Sequence, residues 1–315
     1  SFISNDYINS IERGYGDSDK KLCHECIGNK SLKEYIKANG YVCTCDYCGQ
    51  RRKAVNLDSF MVIIMSGVNF LYTHAVNELP CDSGEYIGKT YTTAQLIFEE
   101  LRDEIDAQDE RILKDIVEIM YDDIWCDADP FSDREEDVAY YDWQSFCKMV
   151  KEKVRYVFYR ATPDTSFNEN PTTILDTLAY YAERVRLDRR IDKNTKMYRC
   201  RTHENDEWRT AYADFAPPPP WVATSGRMNA AGINVLYLTL DPNTALCETR
   251  TSGRDYATIA SFRVTESIRV LDLTKIKKMS IPSIFDEDNR HNRSPVMFLQ
   301  KFAENISQPR SNKNI

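Results

Sequence analysis

The spacing of hydrophobic residues divides the chain into a helical part and a part built of short strands. Between residues 58 and 159, apolar side chains recur every three or four positions, as on the inner face of a helix. The clearest sets are Leu96, Ile97, Leu101 and Ile105, and then Ile112, Leu113, Ile116, Ile119 and Met120. After Asp192 the pattern changes to short alternating or continuous apolar runs, which are typical of strands. The sequence therefore predicts an α+β protein.

Residues 227–248 combine a predicted loop, strand and helix. The run 235–240 is apolar on both alternating faces and lies between a glycine and a proline, which predicts a buried central strand. The dipeptide Asp241-Pro242 predicts the start of a helix, because aspartate caps a first turn and proline fits its first position. This helix is expected to carry Glu248 near its middle. Arg227 before the strand and Glu248 after it can then meet in one cleft.

Further strands and one helix complete the predicted second half. Residues 197–201 alternate as a strand would, and residues 256–264 and 267–273 read as two more strands. Residues 294–306 predict a last helix with its apolar residues on one face. We expect a domain boundary near residues 187–196.

Cysteines are concentrated near the start of the sequence. Five of the ten lie between Cys23 and Cys48 and include two C-x2-C pairs: Cys23 with Cys26, and Cys45 with Cys48. This spacing is typical of zinc ribbons and knuckles. Four thiolates close a tetrahedral shell and leave no position for water, so the predicted Zn²⁺ is structural. Cys43 and His24 remain open as substitute ligands.

Composition and charge limit the possible partners. The 315 residues carry a net charge of −8, which argues against a general nucleic-acid binder. A locally basic stretch keeps open a zinc element that binds nucleic acid or a partner protein; its members are Lys20, Lys21, Lys30, Lys33, Lys37, Arg51, Arg52 and Lys53. No signal-peptide pattern occurs, and the apolar run 60–71 is too short to cross a bilayer. We therefore expect a cytoplasmic protein that does not interact with membranes.

Three arginines and one acid are the candidates for chemistry in the second half. Arg199, Arg201 and Arg227 lie on or beside predicted strands, and guanidinium forms paired bonds with phosphate. A carboxylate such as Glu248, beside a phosphate clamp, suits stabilisation of a ribose that carries oxocarbenium character. Strand arginines also pair with surface acids in many proteins, and that interpretation stays open.

Three motifs resemble the RES domain family, named for an arginine, a glutamate and a serine. They are residues 197–201 (Met-Tyr-Arg-Cys-Arg), residues 226–238, which begin Gly-Arg-Met-Asn, and residues 244–248 (Thr-Ala-Leu-Cys-Glu), in the order and spacing of the family. The resemblance implies a fold like that of ADP-ribosyltransferase toxins, with a mixed sheet. It also implies consumption of NAD+ by hydrolysis or phosphorolysis of the nicotinamide–ribose bond, or by ADP-ribosyl transfer to a protein. Many members are toxins neutralised by an antitoxin, and a homo-oligomer is a further possible assembly. The preceding part is similar to the zinc-containing helical domain found in front of some RES domains.

The resemblance also assigns roles to single residues. Arg199 matches the family's first arginine, Arg227 the arginine of its Gly-Arg-x-Asn loop, and Glu248 its glutamate. We expect Arg199 and Glu248 to be catalytic; the expected NAD+-binding residues are Arg199, Arg201, Arg227, Asn229 and Tyr237. The family's serine lies beyond the last helix, so the resemblance predicts a domain that is incomplete at Ile315. The predicted domains are a zinc ribbon or knuckle at 1–57, a helical domain at 58–192 and a RES-like domain at 193–315.

Overall fold

A computed structural model describes residues 13–152, 173–223, 232, 234–249 and 256–307. The chain forms two compact units. The first unit combines Ser1–Tyr140 with Met279–Phe298, and the second unit combines Tyr141–Lys278 with Leu299–Ile315. The segment Met279–Phe298 comes from the range predicted as the third domain, yet it packs within the first unit.

The first unit begins with a small sheet that surrounds the cysteine pairs. Its elements are β1 (Lys21–Cys23), a 3-10 turn (His24–Cys26), α1 (Lys30–Asn39), β2 (Tyr41–Thr44) and β3 (Arg51–Asn56). The strands pair antiparallel in the order β1-β3-β2. The helix α1 begins where it does because the Asn29 side chain accepts hydrogen bonds from the backbone N–H groups of Ser31 and Leu32.

The elements that follow alternate between helices and very short strands. They are α2 (Leu57–Leu71), β4 (Tyr72–His74), α3 (Ala75–Glu78), β5 (Cys81–Asp82), β6 (Glu85–Tyr86), β7 (Tyr91–Thr92), α4 (Thr93–Gln95) with a π-helical turn (Leu96–Glu100), α5 (Arg102–Ile105), α6 (Glu110–Ile119), β8 (Ile124–Asp127) and α7 (Glu135–Glu152). The range predicted as a helical domain, 58–192, therefore contains short strands as well as helices. A sheet in the order β4-β8-β7 and a β5–β6 hairpin lie within it. Strands of two to four residues are too short to show an alternating pattern.

The core of the first unit forms around α2 and includes a segment distant in sequence. The helix α2 buries apolar residues around most of its circumference, as expected for a central helix. Ile284 and Phe285 are buried in the same cluster. Beside them, Arg293 donates to the Glu104 carboxylate at 3.1 Å, and the pair is mostly shielded from solvent. Residues 279–298 thus supply both apolar and charged contacts to this core.

Gly67 on α2 marks the closest approach of this segment. A Cβ atom added there would overlap the Phe285 ring and lie 3.3 Å from Ile284 Cγ1. Phe285 is fully buried and has little room to move. Glycine is therefore required at this position by packing, although it weakens a helix.

Gly67→Ala should destabilise the first unit by about 1–2 kcal/mol. Overpacking a core costs ~1–3 kcal/mol, whereas the better helix propensity of alanine returns at most ~1 kcal/mol. Chemical denaturation measures the difference. Val62→Ala on the exposed side of the same helix is the control and should change stability by less than ~0.5 kcal/mol. Equal stability of both variants would show that the Phe285 ring does not press on the helix.

The second unit is built of two antiparallel strand pairs and several helices. Its further elements are α8 (Thr173–Arg184), β9 (Asp188–Ile191), β10 (Lys196–His203), α9 (Tyr212–Phe215), a 3-10 turn (Pro220–Val222), α10 (Pro242–Glu248), β11 (Tyr256–Arg263), β12 (Ile268–Leu271) and another 3-10 turn (Leu273–Lys278). A 3-10 turn at Arg290–Asn292 belongs to the first unit, and α11 (Arg293–Ser307) begins in the first unit and ends in the second. The strand β10 pairs with β11, and β12 pairs with β9. The expected mixed sheet is not seen, because every ladder among the described residues is antiparallel.

The prediction of a buried central strand at 235–240 is wrong. Thr239 forms a single antiparallel bridge to Tyr198, with N···O distances of 2.8 and 2.9 Å, on the edge of β10 that faces away from β11. The other residues of the run belong to no strand and are half-exposed or exposed. Only Thr239 of this run pairs with a neighbouring strand, so the apolar side chains of the run are not buried. Among the described residues, no helix is both long and apolar enough to cross a membrane.

Candidate functional site

Four cysteines bring their sulfur atoms together at the sheet of the first unit. They are Cys23, Cys26, Cys45 and Cys48, and their Sγ atoms all lie within 4.8 Å of one another. The Sγ atom of Cys23 lies 3.6 Å from those of Cys26 and Cys48, and the Cys26 and Cys45 sulfurs are 3.8 Å apart. A tetrahedral ion bonded to sulfur at ~2.3 Å places neighbouring sulfurs ~3.8 Å apart. The cluster can therefore hold one metal ion.

Neither of the two substitute ligands belongs to this cluster in the described part of the chain. Cys43 lies on β2 and is half-buried, and its sulfur is not among the four that converge. His24 directs its Nδ1 atom towards Glu25 Oε1 at 3.1 Å. The residues that can bind a metal ion are therefore the four cysteines of the two C-x2-C pairs.

Local backbone structure holds the four thiols in place. Cys45 and Cys48 lie in the turn between β2 and β3, where Gly49 adopts a φ of 69° and donates its N–H to the Cys45 carbonyl at 2.9 Å. Burial raises the pKa of Cys23 and of Cys26. Thiols in such surroundings ionise readily only when a cation compensates the charge. The site thus suits a metal ion better than an isolated thiolate.

One face of the β10–β11 ladder carries the two predicted strand arginines. Arg199 and Arg201 are two residues apart on β10, so both side chains project from the same face. In the register, Arg201 lies opposite Thr258, and His203 lies opposite Tyr256. These five residues, Arg199, Arg201, His203, Tyr256 and Thr258, are called the arginine face below. Arg199, His203 and Thr258 are buried, so this face is polar and mostly withdrawn from solvent.

Both guanidiniums are fixed by backbone carbonyl groups at the end of α9. Arg199 Nη1 donates to the carbonyl oxygens of Phe215 and Ala216 at 2.9 and 3.2 Å, and Arg201 Nε donates to that of Asp214 at 3.2 Å. Burial, together with the neighbouring Arg201, lowers the pKa of Arg199. Within the described residues, neither guanidinium forms an ion pair with a carboxylate. Two neighbouring cations without a counter-charge favour binding of an anion.

His203 belongs to the arginine face but was not predicted as a site residue. Its Nδ1 atom lies 2.6 Å from the Asn205 carbonyl, which can only accept, so Nδ1 carries the proton. Its Nε2 atom forms the second hydrogen bond, with the Thr258 hydroxyl at 2.9 Å. This bond orients the Thr258 hydroxyl, which lies opposite Arg201. The alternation of Arg199, Arg201 and His203 along one strand was the sequence signal that could have revealed it.

Glu248 is the last residue of α10 rather than near its middle. The helix starts as predicted, because the Asp241 carboxylate accepts from Thr244 N at 2.7 Å and Pro242 follows the cap. Glu248 is exposed, and the adjacent Thr249 hydroxyl lies 4.0 Å from Cys200 Sγ. Cys200 projects from the face of β10 opposite to the arginines. Among the described residues, no hydrogen bond or ion pair joins Glu248 to either guanidinium.

The other predicted site residues are placed differently. Tyr237 lies two residues before the Thr239 bridge and is 43% exposed. Arg227 and Asn229 lie outside the described residues. The structure thus places Arg199 and Arg201 together, whereas the helix that carries Glu248 ends beside Cys200, on the opposite face of the same strand.

Comparison with protein families identifies both halves of the chain. Residues 196–311 match the RES domain, and this range contains the arginine face and Glu248. Residues 38–164 match HEPN/RES N-terminal domain 1. The chain therefore contains a RES domain preceded by a HEPN/RES N-terminal domain 1, and the RES resemblance is confirmed. The family is related to NAD-using toxins and defence proteins. Neither a search of curated proteins nor a search of solved structures found a match.

Proposed function

We propose that the RES domain of this protein binds NAD+ and breaks its nicotinamide–ribose bond. The observation that carries the proposal is the pair Arg199 and Arg201, two adjacent guanidiniums without a carboxylate partner among the described residues, within a matched RES domain. A pyrophosphate offers the two neighbouring negative charges that such a pair can neutralise. The sequence 224–231, which contains Arg227 and Asn229, includes no acidic residue.

The arginines would act by fixing the phosphates while the ribose reacts. Each guanidinium already donates one or two hydrogen bonds to backbone carbonyl oxygens, which hold its plane in one orientation. Donors that are fixed before the ligand binds lose little entropy when it does. Arg199 is 9% exposed, and charge interactions strengthen where water is excluded. The pyrophosphate would thereby set the position of the attached ribose.

Glu248 would stabilise the charge that develops on the ribose. When the bond between ribose C1′ and the nicotinamide nitrogen breaks, the electron pair leaves with neutral nicotinamide and the ribose becomes oxocarbenium-like. A carboxylate placed near C1′ favours that state over the substrate. Tyr237, which is partly exposed, is the proposed aromatic contact of the dinucleotide. Addition of water, phosphate or a protein nucleophile at C1′ would complete the reaction.

The proposal also covers the metal ion, the fold, the cellular compartment and the partner protein. We assign Zn²⁺ as the ion of the four-cysteine cluster, because a shell of four thiolates is typical of structural zinc. The RES domain is proposed to have an ADP-ribosyltransferase-like fold. A reducing cytoplasm would keep these thiols available for the metal. An antitoxin protein is the proposed regulatory partner, and self-association is a second possible assembly.

The test is to incubate the full-length protein with NAD+ and separate the products. Release of nicotinamide supports the proposal. The fate of the other half distinguishes the reactions: free ADP-ribose indicates hydrolysis, a phosphorylated ADP-ribose indicates phosphorolysis, and adenylate label on a protein indicates transfer. Intact NAD+ after long incubation at high enzyme concentration would contradict all three.

Arg201→Lys should lower kcat/KM for NAD+ about tenfold. Lysine keeps the charge but loses the planar fork, and one charge-assisted hydrogen bond contributes ~1.5–3 kcal/mol. The loss should appear mainly as a higher KM, because the phosphates are held equally in substrate and transition state. Arg263→Lys is the matched control, since Arg263 is exposed on the opposite face of the same ladder. An equal effect of both substitutions would remove Arg201 from the site.

A further inference from the structure

Positive charge is concentrated at one place in the first unit. Residues 20–53 contain eight lysines and arginines and three acidic residues, a net charge of +5 within a chain of net charge −8. This range surrounds the cysteine cluster and includes β2, β3 and α1. An acidic protein that concentrates cations on one small element can attract an anion there despite its overall charge.

The two-stranded ribbon of β2 and β3 presents these cations from both faces. On one face Val42 pairs with Lys53, and Thr44 pairs with Arg51; all four side chains are exposed. On the other face Arg52 lies opposite Cys43. The strand β2 is at the edge of the sheet, so the ribbon is open along one side.

The helix α1 adds two more lysines beside Lys53. Lys53 Nζ donates to the Lys37 carbonyl at 2.7 Å, which holds the end of α1 beside β3. Lys33 lies one helical turn before Lys37, on the same side of the helix. The basic ribbon is defined here as Lys33, Lys37, Arg51, Arg52 and Lys53. Within the described ranges none of these five forms an ion pair, whereas Lys30, the next cation on α1, lies 3.9 Å from Glu34.

An aromatic ring stands at the start of the ribbon. Tyr41 is 51% exposed, and its hydroxyl donates to Asn56 Oδ1 at 3.0 Å, which fixes the ring while leaving part of it open. It shares a face with Arg52, its diagonal neighbour across the two strands. An exposed, oriented ring beside cations is how proteins stack the bases of a single strand.

We propose that the basic ribbon binds single-stranded nucleic acid that crosses the open edge of β2, with backbone phosphates on the cations of both faces and one base on the ring of Tyr41. Cations without an ion-pair partner attract the phosphates of the backbone, and the oriented ring of Tyr41 can stack on an unpaired base. A membrane surface would need an apolar face to insert, and Val42 and Tyr41 do not form one. This inference does not depend on NAD+ cleavage, which is proposed for the second unit.

Fluorescence anisotropy with a labelled single strand of about 12 nucleotides, RNA or DNA, tests the proposal on the full chain. Five neutralised phosphates predict that affinity falls about a hundredfold between about 50 and 200 mM salt. Replacing Arg51, Arg52 and Lys53 with glutamine should reduce that fall to about sevenfold, and Tyr41→Ala should weaken binding at every salt concentration about tenfold.

A charge-matched variant separates a specific surface from overall charge. Lys193, Lys277 and Lys278 are exposed in the second unit and form no described ion pair, and their replacement by glutamine removes the same charge. This control should bind like wild type. Binding that does not depend on salt, equal loss in both triple variants, or preference for anionic vesicles or poly-glutamate over the single strand would each overturn the proposal. Unchanged metal content of the ribbon variant confirms that it is folded.

Discussion

Replacing Cys26 with serine should abolish metal binding and unfold much of the first unit. Cys26 is buried, and its sulfur lies within 3.8 Å of two other sulfurs of the cluster. Structural zinc contributes on the order of 10 kcal/mol to small domains, whereas a whole domain is stable by about 5–15 kcal/mol. The sheet that the metal would fix has strands of only three to six residues, so it has little stability of its own. Metal content by mass spectrometry and thermal unfolding measure the two effects.

Cys43→Ser provides the control for this prediction. Cys43 lies on β2, two residues before Cys45, but its sulfur is outside the cluster. Its variant should retain one equivalent of metal and nearly the wild-type melting temperature. A Cys26 variant that keeps both the metal and the stability would show that the four thiols do not form a metal site. Removal of the ion from wild type by a chelator should reproduce the loss of stability.

Glu248→Gln should lower kcat for NAD+ cleavage by at least about a hundredfold. Groups that stabilise charge formed only in a transition state contribute ~3 kcal/mol or more, and an amide cannot supply the negative charge. The affinity for NAD+ should change little, because the substrate ribose is not yet charged. Folding should also be preserved, since Glu248 is exposed and α10 is capped by Asp241 at its other end. Steady-state kinetics and a binding titration separate these quantities.

Glu266→Gln is the matched control for charge and exposure. Glu266 is an exposed acid of the same unit, in the turn between β11 and β12, and forms no described ion pair. Its variant should have the kcat of wild type. A drop confined to KM in the Glu248 variant would assign that residue to substrate binding and not to charge stabilisation.

Local motifs were the features that the sequence predicted best. The spacing of two C-x2-C pairs was enough to indicate which four cysteines meet, because each pair is held by one short turn. Asp241-Pro242 predicted a helix start for the same reason, since the cap is formed within four residues. The alternation around Arg199 likewise predicted a strand, and β10 has the expected position.

Features that depend on distant contacts were missed. Phe285 packs on Gly67, more than two hundred residues away in sequence, and no local sequence pattern predicts such a contact. The run 235–240 looked like a buried strand because it is apolar, yet a strand also needs partners on its edges, and only Thr239 has one. His203 was missed because its role follows from the β10–β11 register, which places Thr258 beside it.

The most direct test of NAD+ cleavage assisted by Glu248 is a single-turnover experiment with excess full-length enzyme and NAD+ labelled in the nicotinamide ring. Wild type and the Glu266→Gln control should release the label at the same rate. Glu248→Gln should bind NAD+ but release the label at least about a hundredfold more slowly. Release at equal rates by wild type and the Glu248 variant, or no release by wild type although NAD+ is bound, would contradict cleavage of NAD+ at this site.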